Sequence, residues 1–305
     1  MKKPIPVILD TDIGTDIDDT WALAMMLKSP ELDVKLITTA AGDTVYRTKI
    51  VAKLLERAGR TDIPIGIGTD LSGSGIDDAE RQREWVTGYN LSHFPGKIHK
   101  DGVRALINTI MDSREKITLV CIAPLPNIGR ALDREPRIAL KARFVGMHGS
   151  VRVGYGGSPA ISKECNVVCH VKECQKVFTA PWDMTITPLD TCGVVQLKGN
   201  KYQRILKSRD PLIKALIEQY KIWMKDKKRE RKTWIPNDAA SSILFDTVAV
   251  HLAHSHKFLK IEKLGIRVSD DGYTLIDNRA KKIACATAWK DLEGFEDDLV
   301  ESLTS

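Results

Sequence analysis

Short apolar runs alternate along the chain with stretches whose apolar positions follow a helical period. Buried strands are predicted at residues 7–9, 33–38, 64–68, 117–122, 143–147 and 184–187, where the runs are bounded by Gly, Pro or Asp. Between these runs, helical spacing predicts helices such as 45–58, which ends at Gly59, and 101–111. This order predicts an α/β fold with a Rossmann-like, mostly parallel central sheet flanked by helices.

The remaining segments complete the predicted fold. Asn127 is expected to cap the helix that follows the strand at 117–122, and two helices are expected at about 207–225 and 239–254. Residues 261–287 predict a few added short antiparallel strands, and 291–303 predict a last helix. Residues 71–100 lack a clear period, and a loop of this length is typical of a lid over a site. We expect residues 1–305 to form a single domain.

Composition excludes several classes of function. The chain has 305 residues, 43% of them hydrophobic, and a formal net charge of +6. Its main basic run, at 221–232, is typical of a solvated helix end, with attraction of an anionic partner as the alternative. Without an aromatic-interleaved basic patch, a signal peptide or an apolar run of ~20 residues, we expect neither a nucleic-acid nor a membrane partner. Six cysteines without zinc spacing indicate reduced thiols and a cytoplasmic protein.

Candidate chemistry concentrates directly after the first strand. Five aspartates occupy ten positions there: Asp10, Asp12, Asp16, Asp18 and Asp19. Crowded carboxylates repel one another unless protons or a cation neutralise them. The cluster contains neither Cys nor His, so Ca²⁺ or Mg²⁺ is favoured over Zn²⁺. Asp246 lies on an otherwise apolar stretch, where burial without a partner is costly, and is a further candidate ligand, a helix-start Asp favoured by the dipole being the alternative.

These residues belong to motifs that resemble, in order, those of the inosine-uridine-preferring nucleoside hydrolases. The motifs are Asp10-Thr-Asp-Ile-Gly14 with Asp18-Asp19, Gly42-Asp43, Ala123-Pro-Leu-Pro-Asn127, Met147, Glu164-Cys-Asn166 and Phe245-Asp246. The resemblance implies a Ca²⁺-dependent N-ribohydrolase that acts on small-molecule ribosides, releases ribose and free base, and functions in purine or pyrimidine salvage. It also implies a homodimer or homotetramer.

The resemblance also implies a role for individual residues. Asp12, Asp19, Asp246 and the Pro126 carbonyl would bind Ca²⁺, and Asp12 would also take a proton from the attacking water. Asp18, Asp43, Glu164 and Asn166 would hold the ribose hydroxyls, Met147 would contact the substrate, and Asp10 would support the metal-binding turn. An acidic site of this kind suits the reaction, because cleavage of an N-glycosidic bond builds positive charge on the sugar.

The chain departs from the family pattern at four places. Asp16 and Ile17 lengthen the opening loop, Asp43 replaces a common Asn, and His170 replaces a common Asp. Phe245 stands where the best-known members carry the histidine that protonates the leaving base, and Phe cannot donate a proton. Three explanations remain open. His93 or His99 acts as the acid, Trp85 or Trp234 stacks on the base, or the leaving group needs no acid.

Two other functions are compatible with part of the sequence. A haloacid-dehalogenase-type phosphatase would use Asp10 as nucleophile with Mg²⁺, but that function leaves residues 124–127 and 164–166 unexplained. A Ca²⁺- and ribose-binding protein without hydrolysis would accommodate Phe245, since a fold alone does not determine a function. Turnover of any riboside separates the hydrolase from the binding protein.

Overall fold

The structure, a computed structural model, describes residues 3–75, 79–230 and 239–305. Ten strands in these ranges form one sheet in the order β4-β3-β2-β1-β5-β6-β7-β10-β8-β9. The strands are β1 (Ile5–Thr11), β2 (Leu32–Thr39), β3 (Ile65–Ile67), β4 (Ile98–His99), β5 (Ile117–Cys121), β6 (Ala142–Met147), β7 (Met184–Thr187), β8 (Leu259–Val268), β9 (Thr274–Ile276) and β10 (Lys282–Trp289). Pairing is parallel from β4 through β10, and β8 and β9 are antiparallel additions. The predicted fold class is confirmed.

Helices cover both faces of this sheet. They are α1 (Asp18–Lys28), α2 (Thr44–Ala58), α3 (Gly102–Asp112), α4 (Pro126–Arg134), α5 (Ile138–Lys141), α6 (Cys165–Val168), α7 (Val171–Thr179), α8 (Leu189–Cys192), α9 (Gly199–Leu206), α10 (Pro211–Glu230), α11 (Thr247–Leu252) and α12 (Leu292–Thr304). One buried apolar cluster joins α1, α2 and α10 to one face, and a second joins α3, α4 and α7 to the other. Over the described ranges, none of the helices has the length and apolar character needed to cross a membrane.

The strand order places a topological switch point at β1. From β1 the chain extends through β2 to β4 on one side and from β5 through β7 on the other. Connections diverge at such a point, which leaves a crevice outside the carboxyl ends of the parallel strands. The aspartate-rich loop that follows β1 opens into this crevice.

Several element predictions are wrong. Asn127 lies inside α4, whose cap is Leu125, because the Asn127 side chain binds other segments. The helix expected at 207–225 begins at Pro211, a residue suited to a first helical turn. The helix expected at 239–254 begins at Thr247, because Ser241 and Leu244 donate backbone hydrogen bonds to the segment before α9.

Two further segments also differ from expectation. The tail at 261–287 forms longer strands than predicted, and β10 pairs in parallel with β7. In the predicted loop at 71–100, the described residues contain two 3₁₀ turns, Arg83–Val86 and Leu91–His93, and the short edge strand β4. This loop packs on α2 and α10, with Trp85 buried.

Candidate active site

The loop between β1 and α1 is held in place by buried side chains of α2. The Arg47 guanidinium donates to the carbonyl oxygens of Asp12 and Ile13 and, at 3.0 Å, to the Thr15 hydroxyl. Tyr46 donates through its hydroxyl to the Gly14 carbonyl at 3.1 Å. Neither Arg47 nor Tyr46 was identified from the sequence. Both lie on the apolar face of a predicted helix. Only their burial in the structure, at 1% and 2% exposure, separates them from ordinary helix residues.

Gly14 is required by the shape of this loop. Its φ of +114° is a conformation that residues with a Cβ rarely adopt. A Cβ at this position would also lie 2.7 Å from the Tyr46 ring. The loop and α2 therefore pack in direct contact, and the aspartates on either side of Gly14 are held at fixed positions.

Three carboxylates converge where α1 and α11 begin. One carboxylate oxygen from each of Asp18, Asp19 and Asp246 lies within 4.8 Å of the others. Burial raises the pKa of Asp18 well above its usual range, and the charges of Asp16 and Asp19 raise it further. Burial also raises the pKa of Asp246, with added repulsion from Asp18 and Asp19. In the absence of a cation, this cluster is stabilised by holding protons.

The donor set fits a hard divalent cation. It supplies carboxylate oxygens only, which is the ligand chemistry that Ca²⁺ and Mg²⁺ prefer. A cation removes the repulsion that raises these pKa values, because it favours the ionised form of every ligand. Asp12 lies close enough to Asp246 to raise its pKa and is a further candidate ligand. Thr11 donates a hydrogen bond of 2.5 Å to Asp19 and orients that carboxylate.

Asp10 lies behind this cluster, fully buried at the end of β1. Its Oδ1 accepts hydrogen bonds from Thr38 at 2.5 Å and from Asn127 at 2.8 Å. Burial raises the pKa of Asp10 to about 7, against the opposing effect of these two hydrogen bonds. Asp10 thus connects β1 to β2 and α4, a placement that agrees with a supporting role.

Glu164, Asn166 and Met147 form the opposite wall of the crevice. Glu164 accepts backbone hydrogen bonds from Gly149, at 2.9 Å, and from Asn166, at 2.8 Å, and burial raises its pKa to about 7. The Asn166 side-chain amide donates at 3.0 Å to the carbonyl oxygens of Ile122 and Met147. These bonds attach the segment before α6 to the ends of β5 and β6.

The two walls enclose one pocket, which we call the acidic pocket. Its described lining residues are Asp12, Thr15, Asp16, Asp18, Asp19, Ile122, Met147, Tyr155, Glu164, Cys165, Asn166, Phe245 and Asp246. Most of the residues implicated by the sequence therefore lie together. Tyr155 and Cys165 were missed as site residues, because a tyrosine in a glycine-rich loop and a cysteine within a motif carry no signal that separates them from neighbours.

The other implicated residues are not among the described lining residues of the acidic pocket. Asp43 caps α2 by accepting a hydrogen bond from Tyr46, and Trp85 packs under Lys53 and donates to Glu218 at 3.3 Å. Pro126 is buried at the start of α4, at the carboxyl end of β5. His93 is exposed and His99 lies on β4, so neither reaches the pocket lining. Trp234 falls outside the described residues.

Known proteins share this fold and sequence pattern. Residues 7–296 match the family model of the inosine-uridine preferring nucleoside hydrolases. A probable uridine nucleosidase 2 from Arabidopsis thaliana is 28% identical over 93% of this chain and 89% of its own length. A non-specific ribonucleoside hydrolase RihC from Klebsiella pneumoniae is 30% identical over 71% of this chain and 72% of its own. The solved structure of a plant nucleoside hydrolase, PpNRh1, superposes with a TM-score of 0.83 at 25% identity, covering 99% of this chain and 100% of that one.

The chain belongs to the inosine-uridine preferring nucleoside hydrolase family, whose model covers nearly all of it. It is a hydrolase that acts on N-glycosyl compounds. This membership supports the hydrolase interpretation of the sequence over the phosphatase and binding-protein alternatives.

Proposed function

We propose that this protein hydrolyses the N-glycosidic bond of ribonucleosides or related ribosides in a Ca²⁺-dependent reaction, giving ribose and free base. One observation carries the proposal: the buried cluster of Asp18, Asp19 and Asp246 shares a pocket with Glu164 and Asn166. The proposed cation site and the proposed hydroxyl-binding groups thus face the same space. The names of two relatives, a uridine nucleosidase and a ribonucleoside hydrolase, support this substrate class.

Asp12, Asp19, Asp246 and the Pro126 carbonyl are the proposed protein ligands of Ca²⁺. When bound, the ion orients a water molecule and lowers its pKa, which makes that water a better nucleophile. Asp18 lies within the same carboxylate cluster and is proposed to use its other oxygen for a ribose hydroxyl. Its place at the start of α1, where the helix dipole favours negative charge, supports an ionised state beside the cation.

The residues of the chain then have separate tasks. Asp12 is proposed to accept a proton from the attacking water, and its half-buried position in the pocket lining supports access to that water. Glu164 and Asn166 are proposed to hold ribose hydroxyls, and Met147 is proposed to contact the apolar face of the sugar. Carboxylates around the sugar stabilise the positive charge that develops on the ribose in the transition state.

Four further residues are assigned a role although they are not among the described lining residues. Asp43 caps α2 with one carboxylate oxygen and is proposed to reach a ribose hydroxyl with the other. Trp85 and Trp234 remain proposed contacts of the base. Asp10 is proposed to act through the conformation of the metal-binding loop, because it is fully buried and bound to Thr38 and Asn127.

The test is reducing-sugar release from a panel of ribosides, namely inosine, adenosine, guanosine, uridine, cytidine and nicotinamide riboside, with Ca²⁺ and with a chelator. We expect release that requires Ca²⁺ and falls at least 10³-fold in Asp12→Asn, which removes the proton acceptor. Asp112→Asn is the matched control, because Asp112 is exposed at the end of α3. Absence of release from every riboside, or activity that survives in Asp12→Asn, contradicts the proposal.

A homodimer or homotetramer and a cytoplasmic location complete the proposal. All six cysteines, each within the described ranges, are free thiols, which is typical of proteins from a reducing compartment. Sedimentation equilibrium at several protein concentrations tests the oligomeric state, and a mass equal to that of one chain contradicts it.

A further inference from the structure

A second pocket opens beside the acidic pocket and shares four lining residues with it. We call it the outer pocket; Gly193, Gln196, Trp223, Ser242 and Ile243 line it beyond the shared wall. The shared residues are Asp16, Asp18, Tyr155 and Phe245. Because the two pockets are adjacent and share this wall, a riboside whose sugar occupies the acidic pocket would extend its aglycone toward the outer pocket.

The outer pocket suits a flat aromatic ligand. The rings of Tyr155 and Phe245 meet edge to face, with centroids 6.2 Å apart and an interplanar angle of 78°. Trp223 adds a third aromatic ring to the wall. Ser242 is 5% exposed and lines the pocket, where its backbone N–H donates to the Tyr220 hydroxyl at 2.7 Å and its side chain interacts with the same hydroxyl.

The charge of the lining favours a cation. The acidic pocket is lined by six carboxylates, and within the described residues neither pocket is lined by Lys, Arg or His. A bound divalent cation offsets only part of this charge. Asp16 is exposed where the two pockets join and thus beside the position of the aglycone. Aromatic faces next to a carboxylate attract a planar cation in two ways, by cation–π interaction with the rings and by electrostatic attraction to the carboxylate.

The same lining limits the choice of leaving group. Cleavage leaves the electron pair of the C1′–N bond on the ring nitrogen, so a neutral base departs as an anion unless an acid protonates it. Phe245 donates no proton, and burial raises the pKa of Tyr155 above its ordinary value, which makes that phenol a weak acid. An N-ribosylated pyridinium has no such requirement, since the electron pair neutralises its charge and it departs as a neutral pyridine.

We infer that the preferred substrates are ribosides whose aglycone is a cationic N-heteroaromatic ring of the pyridinium type, held in the outer pocket beside Asp16, Phe245 and Trp223. The inference rests on the proposed ribohydrolase function. In the reaction, water oxygen bonds to C1′ and the C1′–N bond breaks toward the ring nitrogen. One water proton passes to Asp12 and then to solvent, and the other remains on the new hydroxyl. The products are ribose, a neutral pyridine and one released proton.

The experiment measures kcat/KM for nicotinamide riboside, uridine, inosine and p-nitrophenyl β-ribofuranoside, with Ca²⁺ and after subtraction of the reaction without enzyme. The nitrophenyl riboside has a neutral aglycone that leaves without an acid, so it reports ribohydrolase chemistry alone. We expect nicotinamide riboside to exceed uridine and inosine by about 10²-fold, the low end of what general acid catalysis contributes. If the nitrophenyl riboside is cleaved but kcat/KM for nicotinamide riboside does not exceed that for uridine and inosine, the inference fails and the ribohydrolase proposal stands. If no riboside is cleaved, the proposed function itself fails.

Variants at Asp16 test the location of the aglycone. We expect Asp16→Asn to lower the ratio of kcat/KM between nicotinamide riboside and the nitrophenyl riboside about tenfold, and Asp16→Glu to retain most of that ratio. Asp112→Asn makes the same charge change at the end of α3, and Asp112 is not a lining residue of either pocket. This variant should keep the wild-type ratio of kcat/KM between nicotinamide riboside and the nitrophenyl riboside. A preference for nicotinamide riboside that Asp16→Asn leaves intact would overturn the assignment of the outer pocket.

Discussion

The Asn127 side chain donates a 2.8 Å hydrogen bond to the buried Asp10 carboxylate, across 117 positions of sequence. The same amide donates to the Thr39 carbonyl at 3.0 Å, and its oxygen accepts from the Thr69 backbone at 2.8 Å. Asn127 therefore holds together the carboxyl ends of β1 and β2 and the segment after β3. This polar contact supports the loop that carries the site carboxylates.

We expect Asn127→Ala to lower the free energy of unfolding by about 3 kcal/mol, because three buried polar groups lose their partner. Urea denaturation at pH 7 measures this change. Asn90→Ala is the matched control; Asn90 makes one local bond in an exposed turn, at 3.0 Å to Ser92, and its loss should cost less than about 1 kcal/mol. Equal losses in the two variants would show that the Asn127 contacts do not stabilise the fold.

Gly14→Ala tests the packing of the site loop on α2. The added methyl group would meet the Tyr46 ring at 2.7 Å and would also occupy a φ of +114°. We expect a loss of at least about 2 kcal/mol of stability and weaker Ca²⁺ binding, because the loop must move away from α2. Gly73→Ala is the control, since Gly73 has a φ of +77° but no described residue lies within 4 Å of an added Cβ. Equal effects in both variants would contradict the packing argument.

Asp246→Asn separates cation binding from intrinsic stability. Without a cation, Asp18 and Asp19 raise the pKa of Asp246 by repulsion, so an amide there should raise the melting temperature in chelator. Ca²⁺ at 100 times its Kd should stabilise the wild type by about 2.7 kcal/mol and the variant by much less. Thermal denaturation with and without Ca²⁺ measures both effects. A wild-type melting temperature that does not respond to Ca²⁺ contradicts the proposed metal site.

His251 is expected to contribute stability that is lost in mild acid, because it is buried as a neutral imidazole. His251 lies between Phe258 and Phe295, and burial lowers its pKa to about 3. The unfolded chain binds a proton at this residue near pH 6.5, whereas the folded protein does not until about pH 3, so stability is lost as the pH falls between these values.

We expect the change in the free energy of unfolding from pH 6.5 to pH 5 to be more favourable in His251→Leu than in the wild type, by about 1.5 kcal/mol. Urea denaturation at the two pH values measures the difference. His93→Leu removes an exposed histidine and should keep the wild-type pH dependence. An unchanged pH dependence in His251→Leu would show that His251 titrates normally in the folded protein.

A bulky thiol adduct should block the acidic pocket. Cys165 is exposed and lines this pocket, with its Sγ 3.7 Å from that of Cys169. The contact with Cys169, together with partial loss of solvent around the thiol in the pocket wall, raises the pKa of Cys165, so alkylation should be slow at neutral pH and faster in alkali. We expect N-ethylmaleimide at pH 9 to remove most riboside hydrolysis from the wild type and from Cys169→Ala.

Cys165→Ala should keep most of its own starting activity under the same treatment. Mass spectrometry of the digested protein identifies the modified cysteine. Inactivation of Cys165→Ala at the wild-type rate would place the sensitive thiol elsewhere.

Local sequence signals predicted most of the sheet and the composition of the site. Apolar runs and helical periods depend on neighbours a few residues apart, so β1, β5 and α2, including its Gly59 cap, were predicted near their observed positions. The aspartates after β1 were also evident, because five carboxylates beside a buried strand need a neutralising partner wherever the rest of the chain lies. The cost of burying an unpartnered carboxylate indicated Asp246, and the family resemblance added Glu164 and Asn166; the structure brings all three into one pocket.

Tertiary structure alone decided where distant segments meet. Asn127 was predicted as a cap, but its side chain gains more from buried partners in β1 and β2 than from one helix end. The helix predicted over residues 239–246 does not form, because backbone N–H groups of this segment donate hydrogen bonds to the segment before α9. Tyr155, Trp223 and Ser242 carry no distinctive pattern, and they become pocket residues only because separate loops and α10 converge beside β1. Sequence by itself determined the elements and the acidic chemistry, since both are local; the shape and the charge balance of the substrate pocket arise from contacts between residues far apart in the chain.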